Sequence, residues 1–159
     1  MRTITPFCGL LLLALPALAS AQGGAQPGAQ PAAQAAAQAL PRTAAPAGAM
    51  AYIISPVNGA TVKSPFVVRF GLKGMGIAPA GVTNANTGHH HLIIDADTPA
   101  DNVPIPNDEK HRHFGAGQTE VELTLPPGQH TLQLVLGDAL HIPHQPPVRS
   151  EKITITVSP

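Results

Sequence analysis

The sequence predicts an all-β fold, an immunoglobulin-like antiparallel β-sandwich of about seven strands. Beyond residue 50, apolar and polar residues alternate with a period of two in six segments, as they do along half-buried strands. Gly, Pro, Asn and Asp are concentrated between these segments. None of this region has an apolar stripe with helical spacing, so we expect strands and turns only.

The first 21 residues have the pattern of a secretory signal peptide. Arg2 supplies the positive charge, residues 7–18 are mostly apolar, and Ala19 and Ala21 form an A-x-A cleavage site. The apolar stretch is about half the roughly 20 residues that a membrane-spanning helix needs, so we expect no membrane span. We therefore expect a soluble protein that is cleaved after Ala21 and exported.

Residues 22–49 have the composition of a disordered linker. Gln recurs every fourth residue from Gln22 to Gln38, separated by Ala, Pro and Gly. Large apolar residues are too few to offset the entropy cost of ordering the segment. The remaining residues, 50–159, have the length of one domain, and we assign the β-sandwich to them.

Composition also excludes several classes of function. Cys8 is the only cysteine and lies in the signal peptide, so the mature chain has no thiolate to bind a metal or attack a substrate. The 9 basic and 9 acidic residues balance and form no basic patch, so we expect no nucleic-acid partner. No glycine-flanked serine resembles a nucleophile elbow, which argues against metal-free hydrolysis.

The stretch GHHHLIID, residues 88–95, places three histidines at the start of a predicted strand. Successive side chains of a strand point to opposite faces. His90 therefore lies with the apolar residues at the margin of the core, whereas His89 and His91 share the other face. A His-x-His pair of this kind is a candidate for metal binding.

Two connections of the predicted sandwich carry further histidines. Antiparallel strands connect at alternate ends, which brings both connections to the end where the His-x-His pair begins its strand. His113 and His141 are the best additional metal ligands, and His144 is the next. His111 and Asp138 are candidates for alternate ligands or for supporting a ligand.

Imidazole ligands without sulfur suit Zn(II) or Cu(II), and they disfavour Ca(II), which prefers oxygen. Met75, in a nearby connection, could add a thioether and favour Cu(I). Any one histidine, taken alone, could instead cap a turn or bind a backbone carbonyl. His130 occupies the corner position where such sandwiches often carry a tyrosine, so we interpret it as structural and exclude it from the site.

Three stretches resemble a bacterial family known as domain-of-unknown-function family 4399, namely GHHHLIID, HFGAGQTEVELTLPPGQHTLQLVLGD and HIPHQPPVRSEKITITV. The resemblance covers residues 54–157. It implies a small exported bacterial domain, and it implies no activity.

Three functions of different classes fit these features. The favoured one is an exported, periplasmic metal-binding domain that carries, buffers or senses copper or zinc, with the metal ion and another exported protein as partners. The first alternative is an adhesion or assembly module without metal. The second is a metal-dependent hydrolase or oxidoreductase, in which Asp108, Glu109 or Asp138 acts as general base.

Overall fold

The computed structural model describes residues 40–159, so the predicted signal peptide and most of the predicted linker lie outside the described residues. Nine strands form in this part of the chain: β1 (Met50–Ser55), β2 (Thr61–Lys63), β3 (Phe66–Lys73), β4 (Gly76–Ile77), β5 (Thr87–Ile94), β6 (His111–His113), β7 (Glu120–Leu123), β8 (Gly128–Gly137) and β9 (Ile153–Ser158).

The strands form two sheets packed as an immunoglobulin-like sandwich, which confirms the predicted fold class. One sheet has the order β1-β3-β7, and the other has the order β2-β9-β8-β5-β4, with β6 also paired to β5. β2 pairs with β9, and β4 with β5, in parallel, while the other pairings are antiparallel. The short strands β4 and β6 were not predicted. β6 contains His111 and His113, which the sequence had placed in a connection.

The core lies between the two sheets and is made of alternating residues of the long strands. β8 contributes Leu132, Leu134 and Leu136, all fully buried. From β5, Leu92 and Ile94 enter this core. Each such side chain contributes about 1.5–3 kcal/mol when it leaves water, so this layer supplies most of the driving force for folding.

The opposite face of β5 is also buried, although it lies outside the sandwich interior. Ile93 packs there with Val135 of β8 and with Ile105, which belongs to the long connection between β5 and β6. The backbone N–H of Ile105 donates to the carbonyl of His141 at 2.8 Å, which ties this connection to the loop after β8. Two connections are therefore joined over the outer face of the six-stranded sheet, where Ile105 covers Ile93 near the end of β5.

An N-terminal segment, residues 42–45, lies against the loop after β8, and we call it the strap. Thr43 Oγ1 donates to Asp138 Oδ2 at 2.7 Å, and the N–H of Ala45 donates to the carbonyl of Gln145 at 2.8 Å. The end of the predicted disordered linker is thus packed on the domain. These hydrogen bonds and the packing of Ala45 against the core hold the strap, and the composition of the segment gave no signal for them.

The corner histidine lies at the other end of β8. His130 Nδ1 is 2.6 Å from Asp95 Oδ2, and His130 Nε2 is 2.9 Å from the carbonyl of Pro126. Because both partners are acceptors, a protonated ring can donate to both of them at once. Burial lowers the pKa of His130, but the hydrogen bonds to Asp95 and Pro126 outweigh it and raise the pKa above its ordinary value. The structural role predicted for His130 is confirmed.

Candidate metal centre

Strand β5 presents the first two histidines of the site. His89 and His91 are both fully buried, on the outer face of the six-stranded sheet. Their Nε2 atoms are 3.1 Å apart. Because β5 pairs with β8, β4 and β6, these two imidazoles stand on a strand that is hydrogen-bonded along both sides.

The third histidine comes from strand pairing. His113 of β6 is directly opposite His91 of β5 in the antiparallel register. Directly opposite residues have Cβ atoms about 4.5–5.5 Å apart, so the two rings meet on the same face. The register of a short, unpredicted strand therefore positions His113.

The fourth histidine, His141, comes from the loop after β8. The backbone of His141 has a φ of 67°, in the left-handed region that non-glycine residues seldom adopt. Asp138 stabilises the loop, since its Oδ1 accepts the N–H groups of Leu140 at 2.9 Å and Ile142 at 3.0 Å. The carbonyl of Asp138 also accepts the N–H of His141 at 2.9 Å. Asp138 is consequently a positioning residue for His141.

Four imidazole rings meet at this place. The centroids of every pair among His89, His91, His113 and His141 are 4.7–5.8 Å apart. Within the described part of the chain, one ring nitrogen from each of His89, His113 and His141 lies within 4.8 Å of the other two. Nitrogens at this separation need only small ring rotations to reach one ion at about 2.0–2.1 Å. We call these four residues the histidine cluster.

Two glycines that the sequence reasoning missed make room for the rings. A Cβ added to Gly137 would lie 2.9 Å from Nε2 of His91, and one added to Gly115 would lie 2.3 Å from Cε1 of His113. Any side chain at either position would displace an imidazole. Gly137 ends β8 and Gly115 follows β6 by two residues, so their place beside the histidine motifs was the available signal.

The electrostatic environment of the histidine cluster favours neutral imidazoles. Burial, followed by the nearby rings of His141 and His113, lowers the pKa of His89 to about 4. Burial and then the proximity of His89 lower the pKa of His91 even further. The pKa of His113 is lowered too, by burial and then by His141. Neutral imidazole is the form that binds a metal ion, so at neutral pH no proton has to leave these three rings first.

Two predicted ligands lie outside the cluster. His144 is fully buried, but its Nδ1 is 3.4 Å from the carbonyl of Leu136 and its Nε2 is 3.2 Å from the carbonyl of Thr87. His144 therefore braces the ends of β5 and β8. His111 Nδ1 instead hydrogen-bonds Asp108 Oδ1 at 2.9 Å.

The acidic candidates are also accounted for. Asp138 is nearly buried and bonds Thr43 and the loop backbone. Burial raises the pKa of Asp138, but these hydrogen bonds outweigh it, and the pKa lies below its ordinary value. Asp108 is exposed and bonds His111, and Glu109 is exposed. None of the three is a free base beside the cluster.

His90 lies on the other face of β5, as predicted. It is fully buried, and its ring packs edge-on against Phe70 of the opposite sheet at a centroid distance of 5.3 Å. Within residues 40–159, neither of its ring nitrogens has a hydrogen-bond partner. Burial lowers the pKa of His90 to about 4. This histidine belongs to the core and not to the cluster.

Comparison with known proteins places the domain in a family. The sequence profile described as a domain of unknown function (DUF4399) matches residues 68–158, more than half of the chain. The chain belongs to the DUF4399 family. The matched part contains the whole histidine cluster together with Gly115 and Gly137, whereas the strap precedes it.

Two further searches were negative. Neither the curated proteins nor the solved structures yielded a match. Among the residues that the structure describes, no helix is long and apolar enough to cross a membrane. The site of this DUF4399 domain must therefore be interpreted from its own geometry.

Proposed function

We propose that this DUF4399 domain binds one transition-metal ion, zinc or copper, through the histidine cluster and acts as an exported metal carrier or buffer. The observation that supports this most is the meeting of four imidazole rings from three separate elements. Chance or turn-capping histidines would be dispersed, each with its own backbone partner. His144 and His111 illustrate that ordinary arrangement in the same molecule.

Buried ring nitrogens without hydrogen-bond partners also favour a bound ion. Within the part of the chain that the structure describes, buried nitrogens of His89, His91 and His113 have no hydrogen-bond partner. A buried polar group left without a partner costs about 1–3 kcal/mol. The unpartnered atoms are Nδ1 of His89 and His91 and Nε2 of His113, whereas Nε2 of His89 and Nε2 of His91 are in hydrogen-bond contact with each other at 3.1 Å. An ion bound among these rings would give a partner to a buried nitrogen that lacks one. A cluster kept only for packing would be more stable as apolar residues.

The arrangement favours carriage or buffering over catalysis. Catalytic zinc sites use three protein ligands and keep a fourth position open for water or substrate. Four imidazoles would fill the coordination of a tetrahedral ion, and Asp138 and Asp108 are hydrogen-bonded to Thr43 and His111. The signal-peptide pattern and the absence of cysteine from the mature chain support export to the periplasm or the medium. No comparable feature of the described residues supports the alternative function, an adhesion module.

Metal analysis of the mature protein, purified without a histidine tag, tests this function. We expect one equivalent of zinc or copper and calorimetric binding that His113→Ala weakens by more than tenfold. His111→Ala is the matched control, because it removes a histidine from the same strand but outside the cluster. Absence of stoichiometric binding by the wild-type protein, or equal loss in both variants, would contradict the proposal.

A further inference from the structure

We infer that the histidine cluster is a closed, tetrahedral four-imidazole site built for Zn(II) and poorly shaped for Cu(II). This inference rests on the proposed metal binding and adds the class of ion. It follows from the mutual arrangement of the rings, from the rigidity of the elements that hold them, and from the position of Met75, which packs inside the sandwich and away from the cluster.

The ring positions agree with a tetrahedron. An imidazole nitrogen binds zinc at about 2.0–2.1 Å, which places each ring centre about 3.2 Å from the ion. Four ring centres at the corners of a tetrahedron of that size are about 5.2 Å apart in every pair. The six observed separations, 4.7–5.8 Å, cluster around this value.

A square plane, which Cu(II) prefers, has a different pattern. Four adjacent pairs would then lie about 4.5 Å apart, and two diagonal pairs, sharing no ring, about 6.4 Å apart. The longest separation, 5.8 Å, is between His91 and His141. The complementary diagonal, between His89 and His113, is only 5.0 Å. The second diagonal of a square is therefore missing.

The elements that carry the rings oppose flattening of the site. His89, His91 and His113 stand on paired strands, and a one-residue shift in register would send their side chains to the other face. His141 is held by the Asp138 hydrogen bonds, and backbone at Gly137 lies close against the ring of His91. A Cu(II) ion would have to accept a distorted geometry or break these contacts.

The chemistry of the available ligands also favours Zn(II) over copper. Cu(I) is selected by thiolate and thioether ligands. Met75, the candidate thioether, packs against the core cluster inside the sandwich, whereas the histidine cluster lies on the outer face of the sheet. Zn(II) has no geometric preference of its own and accepts four nitrogens in a tetrahedron.

Cobalt substitution tests the geometry. Co(II) absorbs strongly in the visible range when it is tetrahedral and weakly when it is octahedral. We expect the mature full-length protein to show the strong absorption with one equivalent of Co(II), and one equivalent of Zn(II) to abolish it. Bound Co(II) with the weak, octahedral spectrum would overturn the inference while leaving metal binding intact. Failure of the wild-type protein to bind any ion would overturn both proposals.

His91 decides between four and three protein ligands. It is the one member of the cluster outside the group of nitrogens within 4.8 Å, and its Nε2 lies 3.1 Å from Nε2 of His89. If His91 is a ligand, the His91→Ala substitution should lower Zn(II) affinity by more than about 100-fold and change the Co(II) spectrum. A residue that only supports a ligand typically costs about 10–100-fold. A loss in that range with an unchanged spectrum would make His91 a support for His89 and would refute the four-imidazole site.

Copper supplies an independent measurement. Cu(II) in a tetragonal set of nitrogens gives a large parallel hyperfine splitting in its electron paramagnetic resonance spectrum, and tetrahedral distortion reduces that splitting. We expect a reduced splitting for the Cu(II)-loaded wild-type protein and for the matched control His111→Ala. A tetragonal spectrum from one bound equivalent would show that the cluster flattens, which would overturn the inference.

Discussion

The two ends of strand β8 hold histidines in opposite chemical states. His130 and the end of β8 at Gly137 are seven residues apart, which corresponds to about 23 Å along the strand. At one end, an aspartate and a carbonyl lie within hydrogen-bond distance of the two ring nitrogens of His130, and these hydrogen bonds raise its pKa. At the other end, imidazoles face one another in a buried space, and the pKa values of His89, His91 and His113 are lowered. The neighbours of a histidine, and not its position on a strand, decide whether its pKa is raised by acceptors or lowered by burial.

The sharpest test of this comparison removes ligands from one end only. His89→Ala combined with His91→Ala should abolish stoichiometric metal binding, because β5 loses both of the imidazoles that it contributes to the histidine cluster. His130→Gln should keep wild-type stoichiometry and affinity, since it changes the distant end. Calorimetric titration with Zn(II) measures both variants. Metal loss from His130→Gln in a folded protein would show that the two ends are not independent.

Acid should destabilise the metal-free protein through the buried histidines. An unfolded histidine, with a pKa of about 6.5, takes up a proton as the pH falls below that value. His89 and His90 in the folded state stay neutral down to about pH 4. The unfolded state therefore binds more protons between pH 6.5 and 4, and the free energy of unfolding falls through this window, by up to about 3 kcal/mol for each group.

Denaturant titrations in a chelator at several pH values measure that loss. His90→Leu should reduce it, because leucine fills the core beside Phe70 with nothing to protonate. The same variant should bind metal as the wild type does, since His90 faces away from the cluster. A pH dependence unchanged by His90→Leu would contradict the lowered pKa of His90.

His130 should show the opposite sign. Its folded pKa is raised, so its contribution to stability is complete below pH 6.5 and is lost as the pH rises through the folded value. We expect His130→Gln to destabilise the protein by about 1–3 kcal/mol at pH 5.5, in line with hydrogen bonds to charged groups, and by less at pH 9. Thermal or denaturant unfolding at the two pH values checks this. An equal cost at both would mean that the ring is not charged in the fold.

The strap offers the smallest expected effect. Thr43→Val removes the hydroxyl that donates to Asp138 at 2.7 Å, and should cost about 0.5–1.5 kcal/mol. Because Asp138 positions His141, this variant should also release bound Zn(II) faster in a chelator competition. Thr43→Ser keeps the donor and serves as the control. Equal Zn(II) release rates from Thr43→Val and Thr43→Ser would show that the strap does not affect metal release.

Truncation of the N-terminal segment tests what the strap contributes to stability. Deletion of residues 22–39 should leave the unfolding midpoint unchanged, whereas deletion of residues 22–48 removes the strap and should lower it. Thermal melts of the two shortened proteins compare them directly. Coincident midpoints would show that the strap adds nothing to the stability of the domain.

Much of the architecture could be predicted because alternation of apolar residues reports directly on which side of a strand is buried. The period of two in β3, β5, β7, β8 and β9 identified the strands, and it also separated His90 from His89 and His91. His130 was assigned to the corner from its place after a turn and within the leucine alternation of β8. The same pattern could not reveal β6, since three residues are too short for a period to appear.

By itself, the sequence determined the fold class, the two faces of β5 and the histidines available to the site, since these depend on local alternation and residue type. The tertiary structure alone decided which histidines meet. His113 lies opposite His91 through the pairing of a three-residue strand, and His141 is turned inward by the Asp138 hydrogen bonds. His144, three residues after His141, hydrogen-bonds to backbone carbonyls instead. These outcomes depend on contacts between residues far apart in the chain, which spacing along the sequence does not encode.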